Sequence, residues 1–287
     1  MSDFVYLNGD LVPAEMARIS VFDHGFLYGD GLFETMRSYK GKVFKLGEHL
    51  DRLEKSARLL ELNLPWEREE LNSAIYAVLA ENRLDNAYIR LTVTRGEGPV
   101  GIDPTLCARP NLVIMAREMP PYNEQVYTKG VKIIIVSTRR NLPEACPPEI
   151  KSLNFLNNIF AKMELNKAGI TEGIMLNYRG EVTEGTVSNV FIYKAGRLLT
   201  PARECGILPG ITRDTVLDIA SDTGISAAEA VLAAEDLLDA EEVFLTNSGS
   251  EITPVVQIGD TVIRNGRPGP VTRLVLNRYR KLAWEKN

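Results

Sequence analysis

The segment Pro147-Pro148-Glu149-Ile150-Lys151-Ser152-Leu153-Asn154 places one lysine between apolar residues, directly after a pair of prolines. An apolar-faced helix is predicted to begin there, over residues 153–168. Most lysines at a helix start are solvated, whereas a lysine held among apolar groups loses proton affinity and can form a Schiff base with an aldehyde. Lys151 is therefore the first candidate for a reactive side chain.

Pyridoxal phosphate is the aldehyde that this chemistry suggests, and it makes further demands on a protein. Its ring nitrogen needs a carboxylate to stay protonated, and its phosphate needs an arginine and preferably the N-terminus of a helix. The strand-like stretch 182–191 contains a carboxylate, Glu184. The segment Leu208-Pro209-Gly210-Ile211-Thr212-Arg213 is a glycine-containing loop that enters a helix, and Arg52 is a candidate cation. Asn247-Ser248-Gly249-Ser250 adds hydroxyl and backbone donors after a predicted strand. Each pattern has an ordinary structural explanation by itself, and the hypothesis rests on their occurring together.

Composition and charge exclude several other classes of function. The 287-residue chain is 45% hydrophobic and 25% charged, with no apolar run near the ~18 residues of a membrane span and no signal-peptide pattern at its start. Its 33 basic and 38 acidic residues give a net charge of −5, which disfavours nucleic acid as a partner. Three widely separated cysteines are typical of a reduced, cytoplasmic protein.

The two histidines, His24 and His49, narrow the chemistry further. Neither belongs to an HExxH or Cys/His cluster, so no metal site is expected, and no GxSxG motif accompanies them as in many serine hydrolases. Gly29-Asp30-Gly31-Leu32-Phe33-Glu34 has Glu where a dinucleotide fingerprint has its third glycine, and no P-loop motif is present. Nucleotide cofactors are therefore disfavoured.

Helices and strands follow one another without strict alternation, which favours an α+β fold in two domains. A hairpin is predicted where two short apolar runs flank Asn8-Gly9-Asp10. The other predicted elements are strands at 31–39, 42–46, 88–93, 112–115, 131–136, 172–177, 181–193 and 243–246, and helices at 48–61, 67–82, 153–168, from 212 and at 272–285. The turn-rich run Met119-Pro120-Pro121-Tyr122-Asn123 indicates a linker. We therefore expect an N-terminal α/β domain at 1–119, a linker at 120–130 and a C-terminal domain at 131–287 that carries Lys151.

The chain resembles the class IV (fold type IV) pyridoxal-phosphate aminotransferases, which include branched-chain and D-amino acid aminotransferases and aminodeoxychorismate lyases. The resemblance runs from Tyr6-Leu7-Asn8-Gly9 to about residue 260. Its motifs are the segments 28–35, 48–53, 150–154, 182–191, 208–213 and 251–254. It implies a two-domain fold like that of D-amino acid aminotransferase, with mixed sheets and flanking helices. It also implies a homodimer whose partner helps to close each active site.

The resemblance further implies a role for each matching residue. Lys151 would be the Schiff-base lysine and the proton shuttle, and Glu184 would pair with the pyridine nitrogen. The phosphate would be held by Arg52, Ser248 and the backbone N–H groups of Ile211 and Thr212. The substrate side would be lined by Tyr28, Phe33, Tyr88, Arg90 and Gly249.

Among the members of the family, the branched-chain enzymes are matched best. Tyr88-Ile89-Arg90 resembles their substrate-carboxylate strand, and an aromatic pocket suits the side chains of Leu, Ile or Val. Thr35 stands where those enzymes commonly have glycine, Phe155 stands where they usually have a tyrosine, and the Lys151 motif is closer to that of the D-amino acid enzymes. The Arg-x-His pair of the D-specific enzymes is replaced here by Gly98-Pro99-Val100-Gly101-Ile102.

We therefore expect a pyridoxal-phosphate-dependent transaminase that moves the amino group of a branched-chain L-amino acid to 2-oxoglutarate. An aminodeoxychorismate lyase stays open as an alternative, because it would use the same lysine and tolerates a hydroxyl at Thr35. A D-amino acid aminotransferase is a further alternative. A relative that binds a small ligand without turnover is the non-enzymatic one, and the intact Lys151 and Glu184 argue against it.

Overall fold

The computed structural model describes residues 3–120 and 123–285, which form two compact units. The first unit contains the described residues up to Pro120 together with Ile150–Asn154, and the second contains the others. Pro121 and Tyr122, near the start of the expected linker at 120–130, lie outside the described residues. The segment that carries Lys151 thus belongs to the N-terminal unit, whereas the sequence placed it in a C-terminal domain.

The first unit is an antiparallel sheet covered by helices. Its described strands are ordered β2-β1-β6-β5-β3-β4, and two long amphipathic helices contribute buried leucines to a core with β3, β5 and β6. The elements are β1 (Phe4–Leu7), β2 (Asp10–Pro13), α1 (His24–Tyr28), β3 (Gly31–Tyr39), β4 (Lys42–Val43), α2 (Leu46–Leu59), α3 (Arg68–Glu81), β5 (Ala87–Thr94) and β6 (Asn111–Glu118), with 3-10 turns at Ala14–Met16 and Pro104–Leu106.

The predicted N-terminal hairpin is present, because β1 and β2 pair across a two-residue turn in which Asn8 and Gly9 both have positive φ. The predicted strand at 42–46 is wrong beyond its first two residues. After Val43 the chain turns into α2, which begins at Leu46, and Lys45 precedes it in the left-handed conformation. Burial of one side of α2 determines the secondary structure from Leu46 onward, in place of the strand that the local pattern predicts.

Residues 150–153 extend the first sheet along the free half of β3. The Phe33 N–H donates to the Lys151 carbonyl at 3.0 Å, and the Leu153 N–H donates to the Gly31 carbonyl at 2.9 Å. A Cβ on Gly31 would lie 2.5 Å from the Val93 carbonyl oxygen and 2.7 Å from Leu153 Cδ1, so this close approach requires glycine. The pairing explains why the lysine segment belongs to the first unit.

The second unit contains a mixed sheet. Its described strands run β12-β11-β10-β13-β14-β7-β8-β9, and β15 pairs with β14. The elements are α4 (Glu124–Lys129), β7 (Val131–Ile135), α5 (Leu156–Lys167), β8 (Gly173–Leu176), β9 (Val182–Gly185), β10 (Asn189–Lys194), β11 (Arg197–Pro201), α6 (Ile211–Asp222), β12 (Ala227–Ala230), α7 (Ala234–Leu238), β13 (Glu242–Asn247), β14 (Glu251–Ile258), β15 (Thr261–Val262) and α8 (Pro270–Glu285), with a 3-10 turn at Arg203–Cys205.

Two predicted elements of the second unit are shorter than expected. The strand predicted at 181–193 is split into β9 and β10 by a turn, because Glu172 Oε1 accepts the Thr186 N–H at 2.9 Å and so replaces a ladder bond. The helix predicted at 153–168 begins only at Leu156, since Leu153 is hydrogen-bonded to β3. Within the described ranges, the helices lack the combination of length and apolar character that crossing a membrane requires.

We predict that Gly96→Ala strongly destabilises the first unit. Gly96 has φ +92°, and an added Cβ would overlap the carbonyl group of Arg109. Gly41 has a similar φ of +80°, but its added Cβ would meet only Asp85 Oδ1 at 3.4 Å. Gly96→Ala should therefore lower the free energy of unfolding by about 1–3 kcal/mol more than Gly41→Ala, measured by urea denaturation. Equal losses would show that the loop around Gly96 adjusts without cost.

Candidate functional site

The Lys151 amine lies beside an aromatic ring. Its Nζ is 4.5 Å from the ring centroid of Phe33, a position in which the ring face stabilises a cation. The Lys151 main chain is fixed on both sides, because its carbonyl accepts from Phe33 and its N–H lies 3.5 Å from Ser56 Oγ. The lysine is therefore a half-buried amine with a defined backbone, as the sequence suggested, and not a solvated residue at a helix start.

A second cation contacts the same ring. Arg90 Cζ is 3.8 Å from the Phe33 centroid, and Arg90 Nε donates to Thr92 Oγ1 at 3.2 Å. The register of β3 against β5 pairs Phe33 with Thr92 and Thr35 with Arg90, so these side chains share one face of the sheet. Arg90 is half-buried on that face. The structure thus brings together Lys151, Phe33 and Arg90, three residues that the sequence singled out.

The opposite face of β3 carries a buried ion pair. Glu34 is fully buried, and Arg52 from α2 donates to it through Nε at 2.8 Å and through Nη2 at 2.7 Å. This two-point contact fixes the plane of the guanidinium group. The observed partner is buried and lies 18 residues away in the chain.

His49 completes this cluster. Its Nδ1 lies 2.8 Å from Glu34 Oε2, and both side chains are almost inaccessible. Burial alone would raise the pKa of Glu34, but the Arg52 guanidinium and the His49 hydrogen bond hold that pKa far below its usual range. Burial, with the positive charges of Arg52 and Lys151, lowers the pKa of His49 by more than the Glu34 carboxylate raises it. The cluster therefore consists of an ionised carboxylate, a guanidinium and a neutral imidazole that donates from Nδ1.

The two predicted tyrosines of the first unit differ in their surroundings. Tyr88 is half-buried on β5 and shares the face of Arg90 by strand alternation. Tyr28 is 38% exposed at the end of α1, and its hydroxyl accepts the Gly101 N–H at 2.9 Å. Tyr28 thus orients the loop that follows β5, the loop in which the sequence noted the missing Arg-x-His pair.

In the second unit, Glu184 is buried and accepts hydrogen bonds at both oxygens. Oε1 accepts from Arg140 Nε at 2.8 Å, and Oε2 accepts from the Leu208 N–H at 2.9 Å and from Asn189 Nδ2 at 3.3 Å. A carboxylate surrounded by N–H donors in this way acts as an ionised acceptor of fixed orientation. The contact with Leu208 also ties Glu184 to the loop that leads into α6.

The entry to α6 has the properties of an anion site. Its N-cap is Gly210, which provides no capping side chain, so N–H groups of the first turn are available to an acceptor. A Cβ on Gly210 would overlap Asn189 Oδ1, so the approach of the loop to Asn189 requires glycine. Ile211 and Thr212 are the first two residues of the helix, as the predicted phosphate loop requires.

A buried hydroxyl lies near this entry. Thr246 pairs with Asn189 across β13 and β10, and its Oγ1 has no hydrogen-bond partner among the described residues. Ser248 and Gly249 follow β13 in a turn that Asn247 stabilises, since its Oδ1 accepts the Ser250 N–H at 2.6 Å. Helix N–H groups, hydroxyls and a fixed carboxylate together form a donor and acceptor set that fits a phosphate ester and a protonated ring nitrogen.

Four functional candidates escaped the sequence analysis, namely Glu34, His49, Arg140 and Asn189. Each acts through a residue that was identified: Glu34 and His49 through Arg52, and Arg140 and Asn189 through Glu184. Arg140 lies in an irregular segment without periodicity, so only the fold reveals its partner. A signal for Glu34 did exist, because a carboxylate in the otherwise apolar start of β3 needs a cation.

Comparison with known proteins relates the whole chain to one family. The model of the family described as amino-transferase class IV matches residues 31–258. A Methanocaldococcus jannaschii protein, provisionally named a branched-chain-amino-acid aminotransferase, is 43% identical over 278 residues, which cover 97% of this chain and 96% of the relative. A D-alanine aminotransferase of Listeria monocytogenes is 39% identical over 272 residues, which cover 93% and 92%.

A solved structure gives the same picture of the fold. The branched-chain amino acid aminotransferase from Thermobaculum terrenum, crystallised in its PLP-form (holo-form), is similar to this chain with a TM-score of 0.89 and 27% identity. The similarity covers 100% of this chain and 95% of that chain. The expectation of an α+β, fold type IV architecture is therefore confirmed.

The buried cluster leads to a prediction about acid stability. A folded-state pKa below the unfolded value means that the unfolded chain binds more protons on acidification, so stability falls as the pH falls. For His49 this loss begins below pH ~6.5, and for Glu34 it begins below pH ~4.3 and continues as the pH falls toward its folded pKa.

His49→Asn keeps an N–H donor near Glu34 but removes the titrating ring. Between pH 7 and pH 5, the free energy of unfolding should fall less in this variant than in the parent protein. Urea denaturation at each pH measures it. An undiminished decline in His49→Asn would show that other groups cause it.

Proposed function

The chain belongs to the class IV aminotransferases, and on this premise we propose that it moves the amino group of a branched-chain L-amino acid to 2-oxoglutarate with pyridoxal 5'-phosphate as cofactor. The observation that carries the proposal is the triplet around the Phe33 ring on β3, where the Lys151 amine and the Arg90 guanidinium both contact that ring. A nucleophilic amine and a cation beside one apolar surface suit a substrate that is apolar in one half-reaction and anionic in the other.

In the first unit, Lys151 would hold the cofactor and would take and return the substrate α-proton at Nζ. When bound, pyridoxal phosphate supplies an aldehyde and an electron-accepting ring. The Phe33 ring and the fixed Lys151 main chain would hold Nζ in place for both tasks. Arg52 contributes a cation for the phosphate, and Glu34 holds the guanidinium plane so that no reorganisation is needed on binding.

In the second unit, Glu184 would accept a hydrogen bond from the protonated ring nitrogen, and the Arg140, Asn189 and Leu208 contacts fix the orientation of its carboxylate. The N–H groups of Ile211 and Thr212 at the start of α6, with the Ser248 hydroxyl, would hold the phosphate group. These groups bind and orient, while proton movement is assigned to Lys151.

Substrate selection is assigned mainly to the first unit. Phe33, Tyr88 and Tyr28 give apolar contacts for a branched side chain, and Gly249 leaves room beside the turn after β13. Glutamate and 2-oxoglutarate carry a second carboxylate, whose burial without a cation would be prohibitive. Arg90 is positioned to pair with that carboxylate, because its guanidinium is held on the ring of Phe33 rather than directed to solvent.

A homodimer is part of the proposal. Each unit exposes large apolar side chains, with Phe26 71% and Ile102 84% exposed in the first unit. In the second unit, Leu156, Ile159, Phe160 and Met163 form an exposed stripe at helical spacing along α5. A second copy that covers these surfaces accounts for them. The free thiols of the three cysteines agree with a cytoplasmic location.

A D-amino acid aminotransferase is the second candidate, favoured by the identity to the Listeria enzyme. The stereochemistry is decided by the direction from which the substrate α-carboxylate is bound. The two candidates share every cofactor residue, so only the substrate side separates them.

The first test is a half-reaction panel with the purified holoenzyme. Mixing with L-leucine should convert the bound cofactor to its pyridoxamine form at least about a hundredfold faster than mixing with D-alanine, followed by absorbance in a stopped-flow instrument. Faster conversion by D-alanine would favour the D-specific candidate. Pyruvate release from aminodeoxychorismate without conversion by either amino acid would replace the transaminase proposal by the lyase.

The second test concerns Arg90. Arg90→Leu should slow the half-reaction with L-glutamate about tenfold to a hundredfold more than the one with L-leucine, because only glutamate loses a charge-assisted hydrogen bond. The control is Arg58→Leu, an exposed arginine in the last turn of α2, which should leave both rates unchanged. Equal losses for both substrates in Arg90→Leu would assign Arg90 a structural role.

A further inference from the structure

A strained, buried glutamate follows the turn that contains Ser248 and Gly249. Glu251, the first residue of β14, is completely buried and has φ +56°, in the left-handed region that non-glycine residues rarely adopt. Its carboxylate accepts a hydrogen bond from Arg280 Nε at 2.8 Å. The ion pair joins β14 to α8, 29 residues further along the chain. The left-handed backbone of Glu251 is unfavourable, so the contacts around the ion pair must stabilise it.

Arg280 is held in turn by an aromatic ring. Its Cζ lies 4.4 Å from the ring centroid of Tyr127 on α4, and its Nη1 lies 3.6 Å from Glu124 Oε1. The Tyr127 hydroxyl donates to the Ser250 carbonyl at 3.1 Å. One end of Tyr127 thus supports the arginine and the other supports the turn.

Side chains from α4 and α8 thus contact Ser250 and Glu251, at the end of this turn. The Ser250 carbonyl accepts from Tyr127 and, at 3.3 Å, from Thr253 Oγ1, while the Ser250 N–H donates to Asn247. Both main-chain groups of Ser250 are therefore fixed by side chains. Glycine restricts the backbone dihedral angles very little, so the fixed main chain of Ser250 restricts the conformation of the preceding pair, Ser248-Gly249.

We propose that Tyr127, Arg280 and Glu251 are positioning residues that hold the Asn247–Ser250 turn in the conformation that binds the cofactor phosphate through Ser248. The inference rests on the proposed function, since it assumes that Ser248 contacts the phosphate. The three residues act through the turn and do not touch the cofactor. Helix α8, at the far end of the sequence, thereby contributes to cofactor affinity.

The test compares two aldehydes that differ only in the phosphate. Tyr127→Phe keeps the ring beneath Arg280 and removes the hydrogen bond to Ser250. The full-length protein, freed of cofactor, is titrated with pyridoxal 5'-phosphate and with pyridoxal, and binding is followed by quenching of tryptophan fluorescence. The Kd for pyridoxal 5'-phosphate should rise about threefold to tenfold, and the Kd for pyridoxal should stay unchanged.

Arg280→Gln should produce a larger rise of the same selective kind, and Arg280→Lys should restore part of the affinity because it keeps the charge. Arg278→Gln, an exposed neighbour on α8, is the control and should bind both aldehydes like the parent protein. A rise of equal size for both aldehydes in Tyr127→Phe, or no rise at all, would overturn the inference. Failure of the parent protein to bind pyridoxal 5'-phosphate would instead overturn the proposed function.

Discussion

The pairing of residues 150–153 with the edge of β3 is the contact on which the proposed site depends. Two main-chain hydrogen bonds, at Phe33 and Leu153, place a segment from the middle of the chain on a sheet formed by the first 120 residues. Strand alternation then directs Phe33 toward Lys151 and Arg90, and directs Glu34 to the opposite face, where it meets Arg52. One strand thus positions both the ring that contacts the Lys151 amine and the carboxylate that pairs with Arg52.

Both buried carboxylates of the site are neutralised by arginine. Glu34 is paired with Arg52 in the first unit, and Glu184 is paired with Arg140 in the second. Removing one member of such a pair leaves an uncompensated buried charge and costs about 3–5 kcal/mol. The same contacts that make these groups stable also fix their orientation, which is what a preorganised binding site requires. Stability and function are therefore coupled at Glu34 and Glu184.

Local signals in the sequence were sufficient for much of this structure. The Asn8-Gly9 hairpin, the apolar stripe of α2 and the proline and glycine before α6 act over a few residues, and each produced the predicted element. The reactive-lysine hypothesis also began from immediate neighbours of Lys151. Contacts between segments that lie far apart in the sequence could not be predicted from these local patterns. The unit to which Lys151 belongs is decided by hydrogen bonds to residues about 120 positions earlier.

The break after β9 shows the same limit on a smaller scale. Thr186, Val187 and Ser188 are compatible with a strand, and the pattern from 181 to 193 therefore predicts one continuous strand. The carboxylate of Glu172 accepts from the main chain and the hydroxyl of Thr186, and this competition turns the chain. Likewise, Arg140 became visible as the partner of Glu184 only when the fold brought the two together.

The central claim is that Lys151, fixed by β3, is the residue that holds the cofactor. Reduction of the holoenzyme with sodium borohydride makes the attachment permanent, and peptide mapping by mass spectrometry then locates it. The account predicts a single pyridoxyl-phosphate label on the peptide that contains Lys151. A label on any other lysine, or a protein that takes up pyridoxal 5'-phosphate without a reducible bond, would contradict it.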